Sequence, residues 1–193
     1  MTSAARALIW IKVKPAVSAQ PWRQRELRKT MTAPDDTQTG WQDVAVRDAV
    51  AIMRHAHAAE LALCDRLEEI ADSLPNGLDR RNCLLTARAL GPTMAKIHRF
   101  EERRIFPYFC VRLGNSAEAD KTVERLKNEH LEDEGSAAEL RDALRFAARH
   151  GVADNPEMLG FMLRGYFGAV RRHVAFERDH VIALLAPPGY IST

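Results

Sequence analysis

From Trp41 onward, apolar residues recur at three- and four-residue intervals, the spacing of one buried face of an α-helix. A first segment runs from about Asp43 to Leu74, with Val44, Val46, Val50, Met53, Leu61, Cys64, Leu67 and Ile70 on its stripe. Pro75-Asn76-Gly77 stops it. A second runs from about Asp79 to Leu113, with a kink expected at Gly91-Pro92, and ends at Gly114-Asn115-Ser116. A third runs from Ala117 to His150 and is closed by Gly151. A fourth opens at Asn155-Pro156, a capping residue followed by a first-turn proline. It continues to about Ala186 and stops at Pro187-Pro188-Gly189. No alternating, β-branched segment competes with these helices. Four helices of roughly 30 residues span about 45 Å each. Short loops make consecutive helices antiparallel neighbours, so the expected fold is all-α, an up-down-up-down antiparallel four-helix bundle.

Composition narrows the class. The 193 residues are 46% apolar and 28% charged, the balance of a folded water-exposed domain that can bury its own core. No apolar run reaches the roughly 18 residues of a membrane span. Cys64, Cys83 and Cys110 are odd in number and lack C-x-x-C spacing, which argues against a disulfide framework or a cysteine zinc site and for a reducing, cytoplasmic setting. The net charge of +2 is unevenly spread. Arg6, Lys12, Lys14, Arg23, Arg25, Arg28 and Lys29 stand against Glu26 alone in residues 1–30, so the body is mildly acidic. Residues 1–40 are expected to be a basic, flexible arm ending in the linker TAPDDTQTG, residues 41–186 the domain, and 187–193 a tail. Contact with nucleic acid or a membrane surface, a presequence, and a leader preceding a start at Met31 are the readings open for the arm. No nucleic-acid module is recognisable, and neither nucleic acid nor membrane is an expected partner.

The histidines change the picture more than the charge does. His57, with His55 close by, falls near the middle of the first helix, His98 in the second, His130 in the third and His173 in the fourth. Three of them carry a glutamate four residues on: Glu102, Glu134 and Glu177. With 14 glutamates in the chain, chance places about 0.5 such pairs among seven histidines. Residues four apart share a helix face, so imidazole and carboxylate can meet one metal, or the carboxylate can bridge two. Single pairs of this kind are usually solvated surface contacts. Here the apolar neighbours Met94, Ile97, Ile105 and Phe109 around His98, and Val170, Val174 and Phe176 around His173, place the histidines on buried faces. Such a buried set is costly unless cations neutralise it. Imidazole suits iron, copper, zinc or nickel, and mixed imidazole–carboxylate sets at a bundle centre suit iron or manganese pairs.

The stretch HRFEERRIFP (His98 to Pro107) resembles the H-x-x-x-E-x-x-x-F-P signature of the hemerythrin-like HHE cation-binding domain. LKNEH (Leu126 to His130) resembles that family's third-helix E-H pair, and HVAFERDHVIALLA (His173 to Ala186) its fourth-helix H-x-x-x-E. The resemblance covers roughly residues 43–186 and implies a non-haem centre of two iron ions, of the Fe–O–Fe type, with manganese or zinc able to substitute. Carried over by motif, it implies His57, His98, His130 and His173 as terminal ligands and Glu102 and Glu177 as bridging carboxylates. Glu134 stands where oxygen carriers have a second histidine. It is either a further ligand or proton-handling group, or a solvated member of the acidic run Glu129–Glu134. The last carboxylate, spaced H-x-x-x-E where the carriers have H-x-x-x-x-D, also departs from a reversible carrier. Both departures move the pattern toward the four-His, two-Glu sites of iron-centre repair proteins and HHE sensors. No cysteine occurs in residues 1–40, so the cysteine module of the repair proteins is missing there. His55, His150 and His180 are expected outside the centre. Glu177 and His180 form one E-x-x-H of ferritin-type spacing, where that fold requires two.

The function these residues imply is a di-iron protein that binds, senses or reacts with oxygen, nitric oxide or a peroxide. An enzyme at the same centre (peroxidase, nitric oxide reductase or iron-centre repair) and a non-catalytic regulatory bundle are the alternatives.

Overall fold

Capping residues set the helix boundaries. Asp79 accepts backbone N–H bonds from Arg81 at 2.7 Å and Asn82 at 3.2 Å. Ser116 accepts one from Ala119 at 3.3 Å, and Asn155 one from Met158 at 2.8 Å. Each satisfies donors that a helix start leaves without an internal partner. The computed structural model describes the backbone of residues 37–186 and the side chains of 45–186. The basic arm up to residue 36, the Met31 alternative and the 187–193 tail lie outside the described residues.

Helix α1 is Thr37–Asp72. Helix α2 runs as α-helix over Arg80–Phe100, as a π-helical turn over Glu101–Ile105, and as α-helix again over Phe106–Arg112. Helix α3 is Ala117–His150. Helix α4 runs over Pro156–Phe176, through a second π-helical turn at Glu177–Ile182, to Ala183–Leu185. Among the described residues there is no strand. The chain is an all-α four-helix bundle, and no helix of the described residues is long and apolar enough to cross a membrane.

One helix boundary differs from the sequence expectation. Helix α1 begins at Thr37 rather than near Asp43 and takes in Gly40. One interior glycine costs a helix about 1 kcal/mol and does not end it. The chain stays α-helical through Gly91-Pro92. The irregular turns lie elsewhere, directly after Phe100 and Phe176. At the other ends the breakers act as read. Gly151 closes α3 in the left-handed conformation at φ 79°, and Ala186, which precedes a proline, is extended at ψ 137°.

The core is built in two apolar blocks. One gathers Leu63, Leu67, Leu90, Leu140, Leu144 and Leu163. The other gathers Met53, Ile105, Phe106, Leu126, Val181 and Ile182. On each helix a buried histidine–acid pair falls where one block gives way to the other: His57 and Glu60, His98 and Glu101, His130 and Asp133, His173 and Glu177. The bundle is thus apolar at both ends and carries a buried polar layer at mid-height. Outside the layer, Arg171 of α4 reaches Asp65 and Glu68 of α1, each at 2.7 Å, and Arg80 of α2 donates to the carbonyls of Ala148 and Arg149 on α3 at 2.8 Å.

Candidate metal centre

Eight polar side chains, one histidine and one acid from each helix, occupy the mid-height layer, and none exposes more than 8% of its surface. Helical spacing of three or four residues puts both members of each pair on the inward face. The π-helical turns bear on two of these acids. Glu101 and Glu177 each follow a phenylalanine and open a turn of wider pitch, an irregularity that recurs at functional sites.

The inward atoms fall into two groups. Ligand-type atoms of Glu101, His130, His173 and Glu177 lie within 4.8 Å of one another, and so do those of His57, Glu60 and Glu101. Glu101 belongs to both. Glu177 also faces both, because its Oε2 lies 3.1 Å from His57 Nε2 and its Oε1 3.7 Å from His173 Nε2. His98 stacks flat against His130, centroids 4.0 Å apart, and its Nε2 is buried in the same layer. The Nε2 atoms of His98, His130 and His173, both oxygens of Glu60 and Glu101, and Glu177 Oε1 have no hydrogen-bond partner. His130 Nε2 comes within 3.0 Å of Glu101 Oε2, yet without the alignment of a hydrogen bond. Buried polar atoms are almost always paired, and a cluster of unpaired lone pairs converging on one volume is what a cation would satisfy.

Three glutamates outside this layer orient the rings. His98 Nδ1–H donates to Glu134 at 3.1 Å, His130 Nδ1–H to Glu102 at 3.1 Å, and His173 Nδ1–H to Glu129 at 2.9 Å. The first two are reciprocal: α3 holds the histidine of α2, and α2 holds the histidine of α3. A proton kept on Nδ1 leaves the Nε2 lone pair aimed inward, the tautomer a metal requires. Arg125, itself stacked over Phe176, pairs with Glu129 and extends this support.

Burial sets the protonation of the metal-free layer. It pushes Glu60 up to about 8, with the charges of Glu177 and Asp133 adding to it. It likewise raises Glu101 well above the carboxylate range, helped by Glu177 and Glu60. Burial acts to raise Glu177 too, but the hydrogen bond from His57 and the neighbouring imidazoles outweigh it and hold this carboxyl ionised. Burial, followed by the proximity of His130 and His173, pushes His98 down to about 3, and burial lowers His130 against the pull of Glu102. The imidazoles of His98 and His130 are therefore neutral and free to donate electron pairs.

The sequence reading named His57, His98, His130, His173 and Glu177, and the structure brings all five into the layer. It also named Glu102 and Glu134. Their side chains are 38% and 45% exposed, and each touches a histidine from outside at Nδ1. On α2 the buried carboxyl is Glu101, one residue earlier. Glu60 and Asp133 were not singled out either. A signal for Glu101 was present: the dipeptide Phe-Glu occurs at Phe100-Glu101 and again at Phe176-Glu177. His55, His150 and His180 are exposed. Leu131, next to His130 in the sequence, points outward at 70% exposure.

The family model for the hemerythrin HHE cation-binding domain matches residues 48–185. No curated protein and no solved structure matches the chain.

Proposed function

This chain belongs to the hemerythrin HHE cation-binding domain family, and from that membership and the geometry above we propose that its buried layer holds two iron ions that bind, sense or react with oxygen, nitric oxide or a peroxide. The observation that carries the reading is the set of unpartnered, fully buried nitrogen and oxygen atoms arranged in two groups that share Glu101. In this reading His98, His130 and His173 serve one position, His57 the other, and Glu101 and Glu177 lie between them. The ions would supply a redox-active, electron-accepting centre for a small ligand.

The chain's own residues do the rest. Glu134, Glu102 and Glu129 fix the rings of His98, His130 and His173 and keep their protons on Nδ1. The two apolar blocks keep bulk water from the layer. In the metal-free chain His57 Nε2–H donates to Glu177, and Glu60 and Glu101 are protonated, so metal uptake displaces these protons.

Anaerobic reconstitution of the full chain with iron(II), followed by elemental analysis and optical spectra under oxygen and under nitric oxide, tests the reading. About two irons per chain are expected, with a near-ultraviolet band that changes with the gas. Fewer than one iron per chain would overturn it.

An enzyme at the same centre is the second reading. Tyr166 favours it, because its hydroxyl is buried without a partner on α4, two turns before His173. Burial, with the nearby charge of Asp133, pushes this phenol far up, so it stays protonated. Peroxide or nitric oxide turnover that falls in Tyr166→Phe at unchanged iron content separates enzyme from binder.

A further inference from the structure

The two groups of inward atoms are chemically unlike, and Glu60 is the reason. One group joins His130 and His173, with His98 stacked on His130, to Glu101 and Glu177. The other joins a single imidazole, His57, to Glu60 and Glu101, with Glu177 Oε2 3.1 Å from that imidazole. Glu60 is 1% exposed, sits three residues after His57 on the same face of α1, and has both oxygens unpartnered. No carboxylate on the first helix belongs to the ligand set implied by the sequence resemblance.

We propose that Glu60 is a metal ligand and that it divides the centre into a nitrogen-rich position, which binds iron(II) first and more tightly, and an oxygen-rich position, which fills second and accepts manganese(II). The inference rests on the two-metal reading above and adds to it which position takes which metal. Imidazole-rich sets hold the later first-row divalent ions more firmly, whereas carboxylate-rich sets suit harder ions such as manganese(II). Charge points the same way. Of the four buried acids, Asp133 belongs to neither group; with Glu60 ionised, the three carboxylates that do, Glu60, Glu101 and Glu177, offset most of the charge of two divalent cations at close range, and without Glu60 the second cation is left more poorly compensated.

The test uses the full metal-free chain under anaerobic conditions, titrated with iron(II) alone, and then with manganese(II) after one equivalent of iron(II). Native mass spectrometry counts the ions and calorimetry gives the affinities. Two resolved steps about tenfold or more apart are expected, with manganese(II) entering the chain that already holds one iron. Glu60→Gln should keep the first step and weaken the second by more than about 100-fold, since losing an outer partner of a ligand alone costs 10–100-fold. Glutamine resembles the neutral carboxyl of the metal-free chain, so circular dichroism and melting should show E60Q folded. Glu69→Gln, an exposed carboxylate on the same helix, should leave both steps unchanged. Two indistinguishable steps in the wild-type chain, or an E60Q chain that binds both ions as the wild type does, would overturn the inference and leave the two-metal reading standing. A wild-type chain that takes up no metal would overturn both.

Discussion

Raising the pH from 6.5 to 8 in the metal-free chain should destabilise it, and Glu60 should carry much of the effect. Its folded-state pKa is raised from 4.5 to about 8, chiefly by burial. Across this window the unfolded chain has an ionised Glu60, while the folded chain keeps it mostly protonated, falling to about half at pH 8. The folded state binds the extra proton, so stability falls as pH rises. Each unit of separation is worth 1.36 kcal/mol, so 1.5 units remove about 2 kcal/mol. Glu101, raised by the same burial, acts in the same direction. The histidines do not mask it. His98 is depressed to about 3, so its contribution grows only while the unfolded imidazole loses its proton, and that is largely over by pH 6.5. Asp133, pushed up to about 6, has spent most of its effect below the window. For a chain of this length about 2 kcal/mol lowers the melting temperature by about 4–8 °C. Calorimetry of chelator-stripped protein at pH 6.5 and 8 measures it, with Glu60→Gln alongside. The variant should lose the share of the slope that Glu60 supplies and keep the one from Glu101, and the metal-loaded protein should lose the dependence, because its carboxylates are ionised at both pH values. A metal-free wild type whose stability is flat or rises over this window would refute the argument that burial protonates the layer.

Other substitutions separate the inner carboxylates from the outer ones. Glu101→Ala should abolish binding of two metals, because both groups of inward atoms use this residue, whereas Glu102→Ala should retain two with affinity lowered about 10–100-fold; titration with iron(II) distinguishes them. Glu134→Gln should cost a similar factor in affinity, with little change in the melting of the metal-free chain, since Glu134 is half-exposed and its carboxylate hydrogen-bonds His98 Nδ1. Leu163→Ala, at a fully buried position of the larger apolar block, should cost about 2–5 kcal/mol in urea unfolding. Gly151→Ala should cost about 1 kcal/mol, because a Cβ is strained at φ 79°.

The architecture was legible because each boundary rests on local chemistry. Asp79, Ser116 and Asn155 start their helices, Gly151 ends one, and the four stripes of apolar residues need only each other to be buried. The histidines were legible for the same reason, since each interrupts a buried stripe. The carboxylates were harder. The excess of glutamates four residues after a histidine is real, but on α2 and α3 it has another cause. Glu102 and Glu134 lie at the edge of the inward face, where each reaches the histidine of the facing helix. That is a contact between helices, which spacing along one helix does not encode. The buried acids three residues after His57, His98 and His130 are the inner set, and a single spacing rule tuned to α4 passes over them. The π-helical turns are likewise not read from the regular stripe, because each inserts about one extra residue into a helix whose spacing is otherwise unchanged. Pro92, which lacks a backbone N–H, is carried inside α2 without ending the helix.

The proposed centre puts Glu101, not its exposed neighbour Glu102, between two metal ions. Anomalous diffraction from crystals of the iron-loaded full chain tests it most directly. Two iron peaks about 3.5–4 Å apart are predicted, one beside His130 and His173 and the other beside His57 and Glu60, with the Glu101 carboxylate spanning them. A single peak, or two peaks bridged by Glu102 with Glu101 turned away, would contradict the account.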